Sequence, residues 1–104
     1  MKKSITIGKR KYRVEKVDLI EKNLNLLGVI MHDKQKILLQ KNSKKVEDET
    51  LFHEIAHGII VDLAIKGNEE GLQKKYLQFF RDLNNSEAFI EYLGKVLGGI
   101  FKIK

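Results

Sequence analysis

His53, Glu54 and His57 stand in the stretch His53-Glu54-Ile55-Ala56-His57, an H-E-x-x-H spacing inside a strongly helical segment. Four residues advance an α-helix by slightly more than one turn, so both imidazoles project from one face. Placed so, they can bind one zinc ion (Zn2+) through ring nitrogens at about 2.0–2.1 Å. Glu54 lies about 100° around the helix from His53. It does not easily join the same ligand set, but it can reach a water held by the metal and take its proton. The chemistry on offer is hydrolysis of a polarised carbonyl. Two plainer readings compete: surface histidines on an amphipathic helix, or hydrogen-bonded core histidines. The apolar neighbours Phe52, Ile55, Ala56 and Ile60 argue against the first, because they set both rings at the edge of a buried face.

A hydrolytic zinc needs a third protein ligand and an open fourth position. The chain has no cysteine, and no histidine follows His57. Position 63, where a long H-E-x-x-H extension would place one, is Leu63. The third ligand must therefore be a carboxylate, from Asp62, Glu69, Glu70, Asp82, Glu87 or Glu91. Asp62, on the same helix, points largely away from His57. Glu69 and Glu70 sit where a turn or first helical turn is expected, the usual place of solvated capping charges. Glu87 is favoured. It opens the last helix, where an antiparallel return can bring it back to the histidines.

Glu87, Glu91, Gly94 and Gly98 share one face of that helix. Glycine inside a helix costs roughly 1 kcal/mol relative to alanine. Two make sense if this face approaches another backbone closely; the competing view is a frayed C-terminal helix. Metal-bound histidines usually donate their second ring nitrogen to a carboxylate or carbonyl. Glu91, one turn beyond Glu87, can take that part, and the reverse assignment of the two glutamates stays open.

The elements that must position these groups follow from periodicity. Ile5 and Ile7 alternate with polar residues, Gly8-Lys9-Arg10-Lys11 turns, and Tyr12 and Val14 alternate again, a hairpin pattern. Asp18-Leu19-Ile20-Glu21 has the form of a capping box, with a short helix running to about Leu27 and closed by Gly28. Val29-Ile30-Met31 and Ile37-Leu38-Leu39, joined through His32-Asp33-Lys34-Gln35, make a second hairpin. His32 is expected to be a turn residue without a part in the metal site. A helix is predicted from about Val46 to Lys66, ended by Gly67 and Asn68, with Phe52, Ile55, Ala56, Ile59, Ile60 and Leu63 as its apolar stripe. A second runs from about Glu69 to Leu83, with Leu72, Tyr76, Phe79, Phe80 and Leu83 on one side. Asn84-Asn85-Ser86 breaks the chain before a third, which carries Phe89, Leu93, Val96, Leu97 and Ile100. The expected class is α+β: a small antiparallel β-sheet of two hairpins followed by three helices, in one domain spanning 1–104.

Composition bounds the partners. The chain has 104 residues, with 20 Lys+Arg against 14 Asp+Glu and a net charge of +6. The lysines are scattered and lack interleaved aromatics, so a solvated surface is expected rather than a nucleic-acid face. No apolar run approaches the ~20 residues of a membrane span. The basic N-terminus is not followed by the apolar stretch of a secretory signal. A cytoplasmic location is expected, and the absence of cysteine excludes disulfides and thiolate metal sites.

Thr50-Leu51-Phe52-His53-Glu54-Ile55-Ala56-His57, followed by Ser86-Glu87-Ala88-Phe89-Ile90-Glu91, resembles the gluzincin arrangement of zinc metallopeptidases. Over residues 26–100 the chain looks most like the small ImmA/IrrE-type metallopeptidases common on phages and mobile elements. The resemblance implies a minimal zincin-like fold, His53, His57 and Glu87 as zinc ligands, Glu54 as general base and Glu91 as support. It also implies a peptide or protein substrate, often a repressor. These 104 residues are fewer than in larger members, and no added helix-turn-helix or sensor domain is expected within them.

Two further expectations concern substrate. Ile37-Leu38-Leu39-Gln40 is the candidate edge strand for holding an extended peptide by strand addition. Tyr76 or Tyr92 can stabilise an oxyanion, although core positions are the commoner use of such residues. The alternatives to a peptidase are a catalytically silent zinc-containing module that grips a protein or nucleic-acid partner, and a metal-free helical interaction protein.

Overall fold

A computed structural model describes residues 3–18, 20 and 26–100. The chain runs β1 (Lys3–Ile7), β2 (Arg10–Val17), β3 (Gly28–Met31), β4 (Lys36–Gln40), α1 (Lys44–Glu69), α2 (Lys74–Asn84) and α3 (Glu87–Ile100). This is the α+β arrangement expected, with the four strands in one sheet and three helices following.

Both hairpins form. The first turns on Gly8 and Lys9 alone, since Ile7 already pairs with Arg10. Gly8 takes φ 63°, which a two-residue hairpin turn with glycine at its first central position requires. Arg10 and Lys11 belong to β2 rather than to the turn. The second hairpin pairs β3 with β4 antiparallel, Ile30 opposite Ile37.

The two hairpins join differently from a simple antiparallel sheet. The strand order is β1-β2-β4-β3, and β2 pairs β4 in parallel, with Val14 beside Ile37. A parallel step needs a long crossover, which the stretch from Asp18 to Gln35 supplies with β3 included. The short helix expected after Asp18 falls on residues 19 and 21–25, outside the described residues. The consequence is that β4 lies inside the sheet. Ile37 and Leu39 are its most buried residues, at 0% and 2% exposure, so the strand nominated as an edge is an interior one. The free edge next to the helices is β3.

α1 begins at Lys44, two residues before the expected start. The Oγ of Ser43 accepts a hydrogen bond from the Val46 N–H at 3.3 Å, which supplies one orphan donor of the first turn. The carboxylate of Glu47 reaches back to the Asn42 N–H at 2.9 Å and meets Lys16 Nζ at 2.9 Å. Those bonds fasten the helix start to the end of β2.

At its other end α1 continues through Gly67 and Asn68 to Glu69. Gly71, at φ +77°, is the glycine that stops it. The Leu72 N–H bonds the Gly67 carbonyl at 2.9 Å and the Gly71 N–H bonds that of Asn68 at 3.2 Å, the paired bonds of a Schellman ending. α2 consequently starts at Lys74 rather than at Glu69.

α1 is the centre of the molecule because it is apolar on two sides. Ile55 and Ile59 pack on the sheet core of Ile7, Tyr12, Val14, Ile37, Leu39 and Leu51. Ala56 and Ile60 pack with Ile90 in a second core, flanked by Phe80 and Leu83 of α2 and by Phe89, Leu93 and Leu97 of α3. Leu63 ends the expected stripe in solvent, and Leu72, Tyr76 and Phe79 are exposed as well. Among the described residues, no helix is long and apolar enough to cross a membrane.

Candidate metal centre and adjoining cleft

His53 and His57 stand one turn apart on the half-buried flank of α1, with ring centroids 5.1 Å from each other. Glu87 arrives from the first turn of α3. Its Oε2 lies 3.6 Å from His53 Nε2. One ligand atom each from His53, His57 and Glu87 fall within 4.8 Å of one another. Two ligands at 2.0–2.1 Å from a tetrahedral zinc are separated by roughly 3.3–3.4 Å. The His53–Glu87 distance is close to that edge, and Glu87, an exposed side chain, has the rotamer freedom to close the remainder. The donor set of two imidazoles and one carboxylate suits zinc and leaves a fourth position open.

What brings α3 so close is glycine. A Cβ on Gly94 would lie 3.3 Å from both the Cα and the N of His53, and one on Gly98 would lie 3.4 Å from the Phe52 ring. The face carrying Glu87 and Glu91 therefore presses on the α1 backbone at the histidines, as the glycine spacing suggested. Ser86 caps α3, its Oγ accepting from the Phe89 N–H at 3.3 Å. That fixes Glu87 at the first helical position.

The other carboxylates are elsewhere. Asp62 lies under the β1–β2 turn, where its carboxylate occupies the space a Cβ on Gly8 would fill. Asp82 accepts from Gln78 Nε2 at 2.9 Å. Glu69 and Glu70 are exposed at the end of α1.

Sequence reasoning missed Asn84. Its Oδ1 lies 2.9 Å from His57 Nδ1, so the ring donates Nδ1–H to the amide and keeps Nε2 as its free lone pair. This is the orienting bond that metal-ligating histidines use, here from an amide at the last turn of α2 rather than from Glu91. Among the described residues, no hydrogen bond joins Glu91 to either ring. The only signal was an amide residue three places before a candidate ligand, and it reads equally well as a helix stop.

Glu54 is 7% exposed. Burial pushes its carboxyl above the ordinary carboxylate range, opposed by the neighbouring His53 and His57 rings and by the Ile30 N–H, with Glu87 adding to the rise. A carboxyl so placed is a better proton acceptor than one in water. His32 sits in the β3–β4 turn with Nδ1 3.3 Å from the Tyr12 hydroxyl. Burial lowers its pKa, helped by Arg10 and His57. It is not in the metal-ligand group.

A cleft of about 1060 Å³ opens beside Glu54 and His53, between the start of β3, the first half of α1 and the outer part of α3. Leu27, Gly28, Glu49, Thr50, Glu91 and Lys95 are among its lining residues. Tyr76 and Tyr92 are neither core nor cleft: both are exposed, Tyr92 at 68%.

Comparison with protein-family models, curated proteins and solved structures gives no match. The functional reading therefore stands on the residues and their geometry.

Proposed function

We propose that the chain is a zinc metallopeptidase that hydrolyses a peptide bond with His53, His57 and Glu87 as metal ligands and Glu54 as general base. The observation that carries this reading is the convergence of those three ligand atoms within 4.8 Å, with the buried Glu54 next to His53 in the sequence and lining the same cleft as His53. When bound, zinc would supply Lewis acidity, acidifying water and polarising a carbonyl.

The chain's own residues supply the rest. Glu54 takes the proton of the attacking water and returns it to the leaving amine. Its raised proton affinity suits both transfers. Asn84 holds His57 in one tautomer. Among the described residues β3 has a neighbour strand on one side only, so an extended peptide can add to its outer edge and lie across the cleft mouth. A protein segment in extended form is accordingly the proposed substrate, and the cysteine-free composition suits a reducing cytoplasm.

The test is elemental analysis of protein purified without added metal, together with the Glu54→Gln variant. One zinc per chain in both proteins, with peptide cleavage by the wild type alone, is the expected result. Equal turnover by Glu54→Gln would remove Glu54 from the mechanism, and a metal-free protein that cannot be loaded would end the reading.

A further inference from the structure

α3 is apolar on both sides, and a helix of that kind is normally covered on both. Its inner side is covered. Ile90 and Gly94 are buried, and Phe89, Leu93 and Leu97 pack against the second core. Its outer side is open. Ala88, Tyr92, Val96 and Ile100 follow one another at steps of four, so they form a single ridge along the helix. Tyr92 is 68% exposed, Val96 38% and Ile100 66%, with Ala88 and Gly99 exposed beside them. The ridge is about 18 Å long by the helical rise. An apolar strip of this kind on a soluble surface marks a contact face.

The charges indicate what fits it. Glu87, Glu91 and Lys95 are the only charged residues of α3, on a chain with a net charge of +6. The helix therefore lacks the lysines and arginines by which an interfacial helix holds an anionic bilayer or a basic face holds nucleic acid. Glu91 and Lys95 lie one turn apart along one flank of the ridge, and neither has an ion pair or hydrogen bond among the described residues. Suppose that two copies of α3 pair about a two-fold axis that lies between them and runs across both. The helix direction reverses while the charged flank stays on the same side, so Glu91 of each copy faces Lys95 of the other. Small Ala88 then stands opposite Ile100, and Tyr92 opposite Val96. A parallel pair puts the two charged flanks on opposite sides, where they cannot meet. The face is thus complementary to itself in charge and in size.

We propose that α3 packs antiparallel on α3 of a second copy through Tyr92, Val96 and Ile100, with Glu91 of each copy paired to Lys95 of the other. One helix face from each copy is less than a standard interface, so the dimer is a reversible one. No metal ligand lies on the ridge, and the pairing stands apart from the peptidase reading. Glu91 and Lys95 also line the cleft, so the second copy stands at its margin.

Sedimentation velocity at physiological ionic strength, over concentrations from micromolar to millimolar, tests the pairing. The wild type is expected to pass from one chain to two as concentration rises. Tyr92→Lys places an unpaired charge from each copy at the centre of the contact, and association is expected to weaken by about tenfold or more. Because Tyr92 is exposed, helix content by circular dichroism should not change. Glu91→Lys or Lys95→Glu alone sets like charges against each other, and either is expected to weaken association roughly threefold or more. The double exchange Glu91→Lys/Lys95→Glu restores opposite charges and should bring association back towards the wild type. A single chain at every concentration overturns the inference. So does a dimer that Tyr92→Lys leaves intact, which places the contact elsewhere. A double exchange that associates no more tightly than the single ones overturns the antiparallel pairing, and this series decides the matter even if Tyr92→Lys loses helix content.

Discussion

Asn84 Oδ1 sits 2.9 Å from His57 Nδ1, so the last turn of α2 sets the tautomer of a ring on α1. That bond gives α2 a part in the site although no α2 residue is a candidate ligand. Asn84→Ala removes the acceptor and frees the ring. Zinc affinity is expected to fall about 10–100-fold, the usual cost of losing such a partner, with little change in helix content. Competition against a fluorescent chelator measures the first and circular dichroism the second. An unchanged affinity would make the Asn84 bond structural only.

The two glycines at the α1–α3 contact and the one beyond it separate packing from helix propensity. A Cβ on Gly94 meets the His53 backbone at 3.3 Å, whereas one on Gly99 meets nothing within 4 Å. Gly94→Ala is expected to destabilise the fold by about 1–3 kcal/mol, as overpacking does, and to weaken metal binding by pushing Glu87 away. Gly99→Ala is expected to be neutral or to stabilise by up to ~1 kcal/mol through helix propensity. Urea denaturation of both variants compares them directly; equal effects would mean that α1 and α3 are not in backbone contact.

Glu47 links acid stability to the start of α1. Its carboxyl is held below the ordinary range by the hydrogen bond from Asn42, then by Lys16, against the opposing effect of burial. A depressed folded-state pKa means that the contribution is complete above the unfolded value, near 4.5, and is lost as pH falls through the lower folded value. Wild type and Glu47→Gln should therefore differ most in stability at neutral pH and converge as pH drops from 4.5 through the lower folded value. Thermal unfolding across pH 3–7 measures the gap, and a difference that grows on acidification would reverse the assignment.

Gly71 is the residue that ends α1. At φ +77° with open space around it, Gly71→Ala is expected to cost ~1 kcal/mol from backbone conformation alone. For a domain of this size that is roughly 4–8 °C in Tm. A calorimetric scan checks it, and an unchanged Tm would mean that the helix ends by another device.

Much of the site was legible because its information is local. His53, Glu54 and His57 lie within one and a half turns of one helix, so their relative directions follow from the helical period. Gly94 and Gly98 share a face with Glu87 for the same reason, and the cost of glycine in a helix pointed to the close approach now seen at His53. Boundaries were less legible where two glycines competed: Gly67 and Gly71 both offer a helix stop, and only the second adopts positive φ. The two hairpins could be read from alternation, but alternation carries no information about which strand of one hairpin adjoins the other.

The amino-acid order alone determined the H-E-x-x-H helix, the two hairpins, the three-helix second half and the short set of carboxylates available to the histidines. Each depends on spacings of a few residues, where backbone geometry fixes direction. Tertiary structure decided that Glu87 is, among the described residues, the carboxylate that joins the two histidines, that Asn84 steers His57, that β4 is interior while β3 is an edge, and that Glu49 and Glu91 line one cleft. Those relations join residues tens of positions apart, and they depend on how close two helices can pack and on where a crossover returns its strand.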